Sequence, residues 1–184
     1  NKMKSLTDSE KTNGIVCASA GNHAQGVAYS CHLLQIQGKI YMPKTTPNQK
    51  VKQVQLFGKK WVEIVLTGDT FDDAYAKAVA DAKDNQKAFI HPFDDEKVIA
   101  GQGTVGLEIV EQYQQPIDYV FVPIGGGGLA SGLSTVFKHL SPNTKIIGVE
   151  PQGAPSMKTS IANQANTPLD TIDKFVDGAA VKQV

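Results

Sequence analysis

Little in these 184 residues points toward a membrane, a nucleic acid or a redox partner. No apolar run approaches the roughly 20 residues that a bilayer-spanning helix requires, and the opening NKMKSLTDSEK is too polar for a secretory leader. Eighteen basic residues balance 18 acidic ones and no block of like charge occurs, which removes the electrostatic footprint of a nucleic-acid or lipid-surface binder. The two cysteines, Cys17 and Cys31, have neither metal nor redox spacing. They read as small buried thiols of a reducing, cytoplasmic compartment. Repeats and low-complexity tracts are lacking as well. Hydrophobic residues make up 41% of the chain, enough for a sizeable core in one domain or two small ones.

What is present is alternation. Apolar, β-branched runs at 14–19, 39–42, 61–66, 88–91, 118–123 and 144–150 predict strands. Between them, helical spacing appears at Ala24, Val27, Ala28, Cys31 and Leu34, then at Val51, Val54 and Phe57 behind Pro47. It returns at Phe71, Ala74, Tyr75, Ala78 and Ala82, across 97–114, and at Leu129, Leu133, Val136, Phe137 and Leu140. Strands without apolar–polar alternation, separated by helices, predict an α/β fold whose mostly parallel sheets are covered on both faces. The signal weakens over 151–169, and DKFVDGAAV reads as a last edge element. A charged turn, HPFDDEK at 91–97, marks a boundary between two lobes.

Two strand-to-helix corners stand out, and ligands of such sheets bind beyond the carboxyl ends of strands. At the second, Gly125 to Gly128 are four consecutive glycines. A tight turn needs one or two, and each glycine costs backbone entropy on folding. Four imply a backbone that approaches a guest closely and offers it N–H groups, with the helix dipole favouring a phosphate. No Lys-Ser/Thr follows, so this is not a nucleoside-triphosphate loop. Gly125, Gly127 and Ala130, with Glu150 about 20 residues on, also fit the dinucleotide pattern, and on this corner alone a nicotinamide-binding domain stays open. The first corner, Ser19-Ala20-Gly21-Asn22-His23, adds a second anion-friendly turn. A dinucleotide leaves it idle. A small carboxylate here and a cofactor phosphate at the glycines use both.

The stretches ASAGNHAQGVA, MPKTTPNQKV, GDTFDDA, HPFDD, VIAGQGTVGLEI, VFVPIGGGGLASG and IIGVEP, in this order, resemble the fold-type-II pyridoxal-phosphate enzymes. Within that group the chain is similar to the biosynthetic threonine dehydratases (threonine deaminases), with serine racemases and serine dehydratases as the alternatives. The resemblance implies a three-layer fold of mostly parallel twisted sheets in two lobes, like the β subunit of tryptophan synthase. Residues 14–95 would form a small mobile lobe, and 96–184 with 1–13 a partial large lobe. It implies pyridoxal 5'-phosphate as cofactor, with Gly125, Gly126, Gly127, Gly128 and Leu129 at its phosphate and Asn22 at the 3′-oxygen of its ring. Ser19, Ala20, Gly21, Asn22 and His23 would receive the carboxylate of an amino-acid substrate. The reaction implied is dehydration and deamination of L-threonine in isoleucine biosynthesis, by a cytoplasmic homo-oligomer, a dimer or tetramer.

The same resemblance sets expectations of what is missing. The family's Schiff-base lysine stands in a Ser-Phe-Lys-x-Arg-Gly-Ala segment, expected upstream of Asn1, and the residue facing the pyridine nitrogen is expected beyond Val184. Lys2 and Lys4 lie in no comparable motif and read as solvated, so the chain alone is expected to be inactive, or to serve as a cofactor-binding protein. A metal is not expected. Glu150 is present and Ala154 has a carbonyl to offer, but Ser156 stands where related racemases use a carboxylate. His23 and His91 read as loop-shaping residues, Asp69, Asp72 and Asp73 as a helix cap, and Gln102, Gly103 and Thr104 as a close helix contact.

Overall fold

A computed structural model describes residues 1–173, 175, 176 and 178–184. The chain divides into two compact units, Asn1–Pro92 and Phe93–Val184. The first contains β1 (Ile15–Ala18), β2 (Gly38–Met42), β3 (Val62–Leu66) and β4 (Ala88–Phe89), with helices α1 (Asp8–Asn13), α2 (Asn22–Leu34), α3 (Asn48–Gly58) and α4 (Phe71–Asp84). Its strands are parallel in the order β3-β2-β1-β4. Successive β1 residues point to opposite faces. Ile15 and Cys17 pack with Ala24, Val27, Ala28 and Cys31 of α2 and Val54 of α3, whereas Val16 and Ala18 pack with Ala74, Ala78 and Ala82 of α4. Three layers result, because the chain winds outward through β2 to β3 over one face and returns to β4 over the other. The reversal lies between β1 and β4, where such sheets place their ligands. Of residues 1–13, Met3 and Leu6 are buried in the core of this unit.

Local chemistry explains where these helices begin. Thr70 and Asp73 form a capping box at α4: the Asp73 carboxylate accepts from the backbone N–H and hydroxyl of Thr70 and from the Asp69 N–H, and Thr70 Oγ1 accepts from the Asp73 N–H. Asp81, two turns on, ties α4 to the sheet. Its Oδ2 accepts from the Tyr41 hydroxyl at 3.0 Å and pairs with Lys39 and Lys87 at 3.6 and 3.7 Å, and its Oδ1 accepts from Asn85 at 2.6 Å. Burial alone would raise this carboxyl, but its hydroxyl, lysine and amide partners hold it below the ordinary carboxylate value. Burial and the adjacent Asp81 push Tyr41 up to about 12.

The second unit contains α5 (Glu96–Gln112), β5 (Tyr119–Pro123), α6 (Gly128–Leu140), β6 (Lys145–Val149) and α7 (Ser156–Ala162). Strands β5 and β6 form a parallel pair. Val122, Leu133 and Phe137 centre the core on one face, with Ile109, Val110, Val120 and Ile146 around them. On the other face Tyr119, Phe121, Ile147 and Val149 are exposed, which departs from the expected cover on both faces. In DKFVDGAAV no strand forms among the described residues, and Lys174 and Asp177 lie outside them. Helix α7, which periodicity did not reveal, occupies the weak stretch. No helix among the described residues is long and apolar enough to cross a membrane.

Helices α5 and α6 meet backbone to backbone. A Cβ on Gly132 would sit 2.6 Å from both the Gly103 N and the Ile99 carbonyl oxygen, so any side chain forces the helices apart. Gly132→Ala is expected to destabilise the protein by about 1–3 kcal/mol through overpacking. Gly26→Ala, in α2 with nothing within 4 Å of the new Cβ, is expected to be stabilising by about 0.5–1 kcal/mol. Urea titration of both variants reads the difference. Equal midpoints would show that the helices move apart at no cost.

Candidate functional site

The first corner begins where β1 ends. The Ser19 N–H donates to the Tyr41 carbonyl at 3.1 Å, which holds the turn to β2, and Ser19 Oγ accepts from the Gly21 N–H at 3.1 Å. Helix α2 then starts at Asn22 with no side chain capping it. Its first N–H groups, which have no partner inside a helix, therefore face outward beside an exposed Asn22. Ser19, Ala20, Gly21, Asn22 and His23 lie together in this one turn, with the Ser19 and Gly21 N–H groups already donated to the Tyr41 carbonyl and to Ser19 Oγ.

His23 is fixed from below. Its Nε2 lies 3.1 Å from the carbonyl oxygen of Ile90, just past β4. A carbonyl only accepts, so Nε2 carries the proton. Burial lowers the imidazole to about 4, with the neighbouring His91 acting in the same direction and the Ile90 hydrogen bond against it. His23 is thus a neutral strut across the β1–β4 reversal, with one ring nitrogen committed to the backbone. The sequence contains no signal for this contact, because its partner is a main-chain oxygen 67 positions away.

At the second corner the Ile124 N–H donates to the Val149 carbonyl at 2.9 Å, and the chain leaves β5 into the four glycines. Gly127 has φ +85° and immediately precedes α6, which no side chain caps. Only glycine takes that backbone geometry freely. A Cβ on Gly126 would run into the Phe93 ring, and one on Gly128 would lie 3.0–3.1 Å from the Phe93 Cβ, Cα and carbonyl oxygen. Gly126, Gly127 and Gly128 line a cleft of about 510 Å³ with Phe93, Ser131 and Met157. The cleft is lined by no lysine or arginine among the described residues, and its polar groups at this corner are main-chain N–H groups and hydroxyls. Phe93, Ser131 and Met157 were not singled out from the sequence, though HPFDD carries the first of them.

Glu150 has a different task. Its Oε1 accepts from the Met157 N–H at 2.7 Å and the Ser156 hydroxyl at 3.4 Å, and its Oε2 accepts from the Lys158 N–H at 2.9 Å. Both oxygens cap the start of α7, which leaves Gly125, Gly127 and Ala130 without the ribose-binding acid of a dinucleotide site. Ala154 is buried, its N–H bonded to the Pro151 carbonyl. Among the described residues no group of three His, Cys, Asp or Glu is placed to hold a metal. Lys2 and Lys4 lie on a short 3₁₀ turn, Lys2–Ser5.

The His23 geometry has a pH consequence. Its folded pKa, about 4, lies below the ordinary 6.5, so between those values the unfolded chain binds a proton that the folded chain excludes. The stability it confers is complete above about pH 6.5 and is lost as pH falls toward 4. Urea unfolding at a series of pH values is expected to show that decline, and His23→Gln to flatten it. An unchanged slope in the variant would assign the effect to another group.

The family model described as "Pyridoxal-phosphate dependent enzyme" matches residues 1–184. The biosynthetic L-threonine dehydratase of Halalkalibacterium halodurans is 60% identical over 183 residues, covering 100% of this chain and 44% of that protein. The chain thus spans less than half the length of this relative. Among solved structures, the processed form of threonine deaminase isoform 2 from Solanum lycopersicum superimposes with a TM-score of 0.93 at 47% identity, over 100% of this chain and 52% of that one. Maize serine racemase gives 0.89 at 32% identity, over 98% and 54%. With its parallel α/β units and its glycine corner free of side-chain caps, the chain belongs to the pyridoxal-phosphate-dependent enzyme family.

Proposed function

We propose that this chain supplies the phosphate loop and the substrate-carboxylate loop of an enzyme that converts L-threonine to 2-oxobutanoate and ammonia. The observation that carries the reading is the second corner, where four glycines expose the uncapped start of α6 to a cleft that a Cβ at Gly126 or Gly128 would disturb. Threonine as substrate is supported by the relatives named for it.

The residues divide the binding task. Main-chain N–H groups from Gly125 to Leu129, with the dipole of α6, hold the cofactor phosphate. The Asn22 amide holds the ring oxygen. The remaining N–H groups of the Ser19–His23 turn, those not already given to Tyr41 and to Ser19 Oγ, hold and orient the substrate carboxylate together with the Ser19 hydroxyl, and His23 keeps that turn in place through Ile90. When bound, pyridoxal phosphate supplies the electron sink for the pair left on the substrate's α-carbon. Overall the Cβ–O and Cα–N bonds break and the water lost from Cβ is regained in releasing ammonia, so no external oxidant or reductant is needed. The intact protein is assigned to isoleucine biosynthesis as a cytoplasmic homo-oligomer, an assignment supported by its similarity to the biosynthetic dehydratases.

The intact protein with pyridoxal phosphate and L-threonine is expected to release 2-oxobutanoate. Asn22→Ala, at an exposed position, is expected to lower kcat/KM by roughly 10²-fold through misorientation with an unchanged melting temperature. D-Serine from L-serine without 2-oxobutanoate would place the protein with the racemases. Reduction of a nicotinamide would reject the reading.

A further inference from the structure

The tetraglycine loop has no side chain of its own to hold its shape, so its shape comes from neighbours. At Gly125 the neighbour is backbone: a Cβ there would lie 3.2 Å from the Gly178 carbonyl oxygen and 3.3 Å from the Ala179 Cα. At Gly126 and Gly128 it is one residue, Phe93, whose ring lies against the first and whose backbone and Cβ lie against the second. Phe93 is itself held. Two residues on, the Asp95 carboxylate accepts from the N–H groups of Lys97 at 2.9 Å and Val98 at 3.1 Å, which fixes the start of α5. Helix α5 is locked to α6 through Gly103 and Gly132. The ring and the loop therefore belong to one rigid triangle: the α5 start, the α5–α6 contact and the α6 start.

We propose that Phe93 is a positioning residue that holds the tetraglycine loop in its anion-binding form. A free four-glycine loop loses more backbone entropy on binding than any other four residues, and a brace that has already ordered it removes that cost from the binding step. The inference rests on the phosphate-binding role proposed above for this loop. It assigns Phe93 no contact with the reacting atoms.

The test compares pyridoxal phosphate with pyridoxal, which lacks the phosphate, by calorimetric titration of the full-length apoprotein. For Phe93→Ala, pyridoxal phosphate affinity is expected to fall by about tenfold or more while pyridoxal affinity changes by less than about twofold. Phe93→Leu, which keeps bulk without the flat ring, gives the same comparison should the alanine variant fold poorly. Gly126→Ala is expected to mimic the loss, since its Cβ meets the ring, and to cost less in the Phe93→Ala background, where the space is open. A wild type that binds both ligands equally would overturn the phosphate role of the loop, and this inference with it. A wild type that prefers the phosphate, with Phe93 variants that weaken both ligands alike or neither, would overturn the inference alone.

Discussion

The first N–H groups of a helix have no acceptor within it, and the helices here meet that demand in different ways. Helices α1, α4 and α5 use Thr7, Thr70 and Asp95. Helix α7 borrows the Glu150 carboxylate from the end of β6. Helix α3 follows Pro47 without a side-chain cap. Helices α2 and α6 also lack one, and there the preceding residues are small, polar or glycine. Helices α4 and α5 are capped by a hydroxyl or a carboxylate, whereas α2 and α6 open beside glycines, and the function proposed above gives their N–H groups an anion to bind.

The rest of the structure keeps those two openings in shape. In the first unit the Ser19 turn is bonded to β2 through Tyr41 and to the end of β4 through His23. Tyr41 is in turn held by Asp81 of α4, which also draws in Lys39 and Lys87. In the second unit the glycine contact between α5 and α6 places Phe93 on the loop. Packing and polar satisfaction thus serve one end, a preordered backbone. Burial keeps His23 neutral, so the first corner keeps its shape without placing a cation there.

Much of this was legible in the sequence because the signals are local. Strands β1, β2 and β3 follow from mostly apolar, β-branched runs, and α4 from the Thr-x-x-Asp box ahead of a clear 3.6-residue period. Both corners could be named from their glycines and amides. What escaped depends on distant partners. Helix α7 lacks an apolar stripe, and its cap is a glutamate six residues before it starts. The same glutamate reads as a ribose acid until its oxygens are seen on Met157 and Lys158. The apolar alternates of β5 and β6 read as buried, yet those two strands pair only with each other among the described residues, and one face stays exposed. Phe93 reads as a turn residue because the glycines it braces lie over 30 positions away.

Phosphate binding by the backbone N–H groups at the start of α6 is tested directly by amide chemical-shift mapping of the 15N-labelled chain during titration with inorganic phosphate. Saturable shifts confined to the amides between Gly125 and Ser131 are the predicted result. Shifts scattered over the lysines, with the glycine amides unmoved, would contradict it.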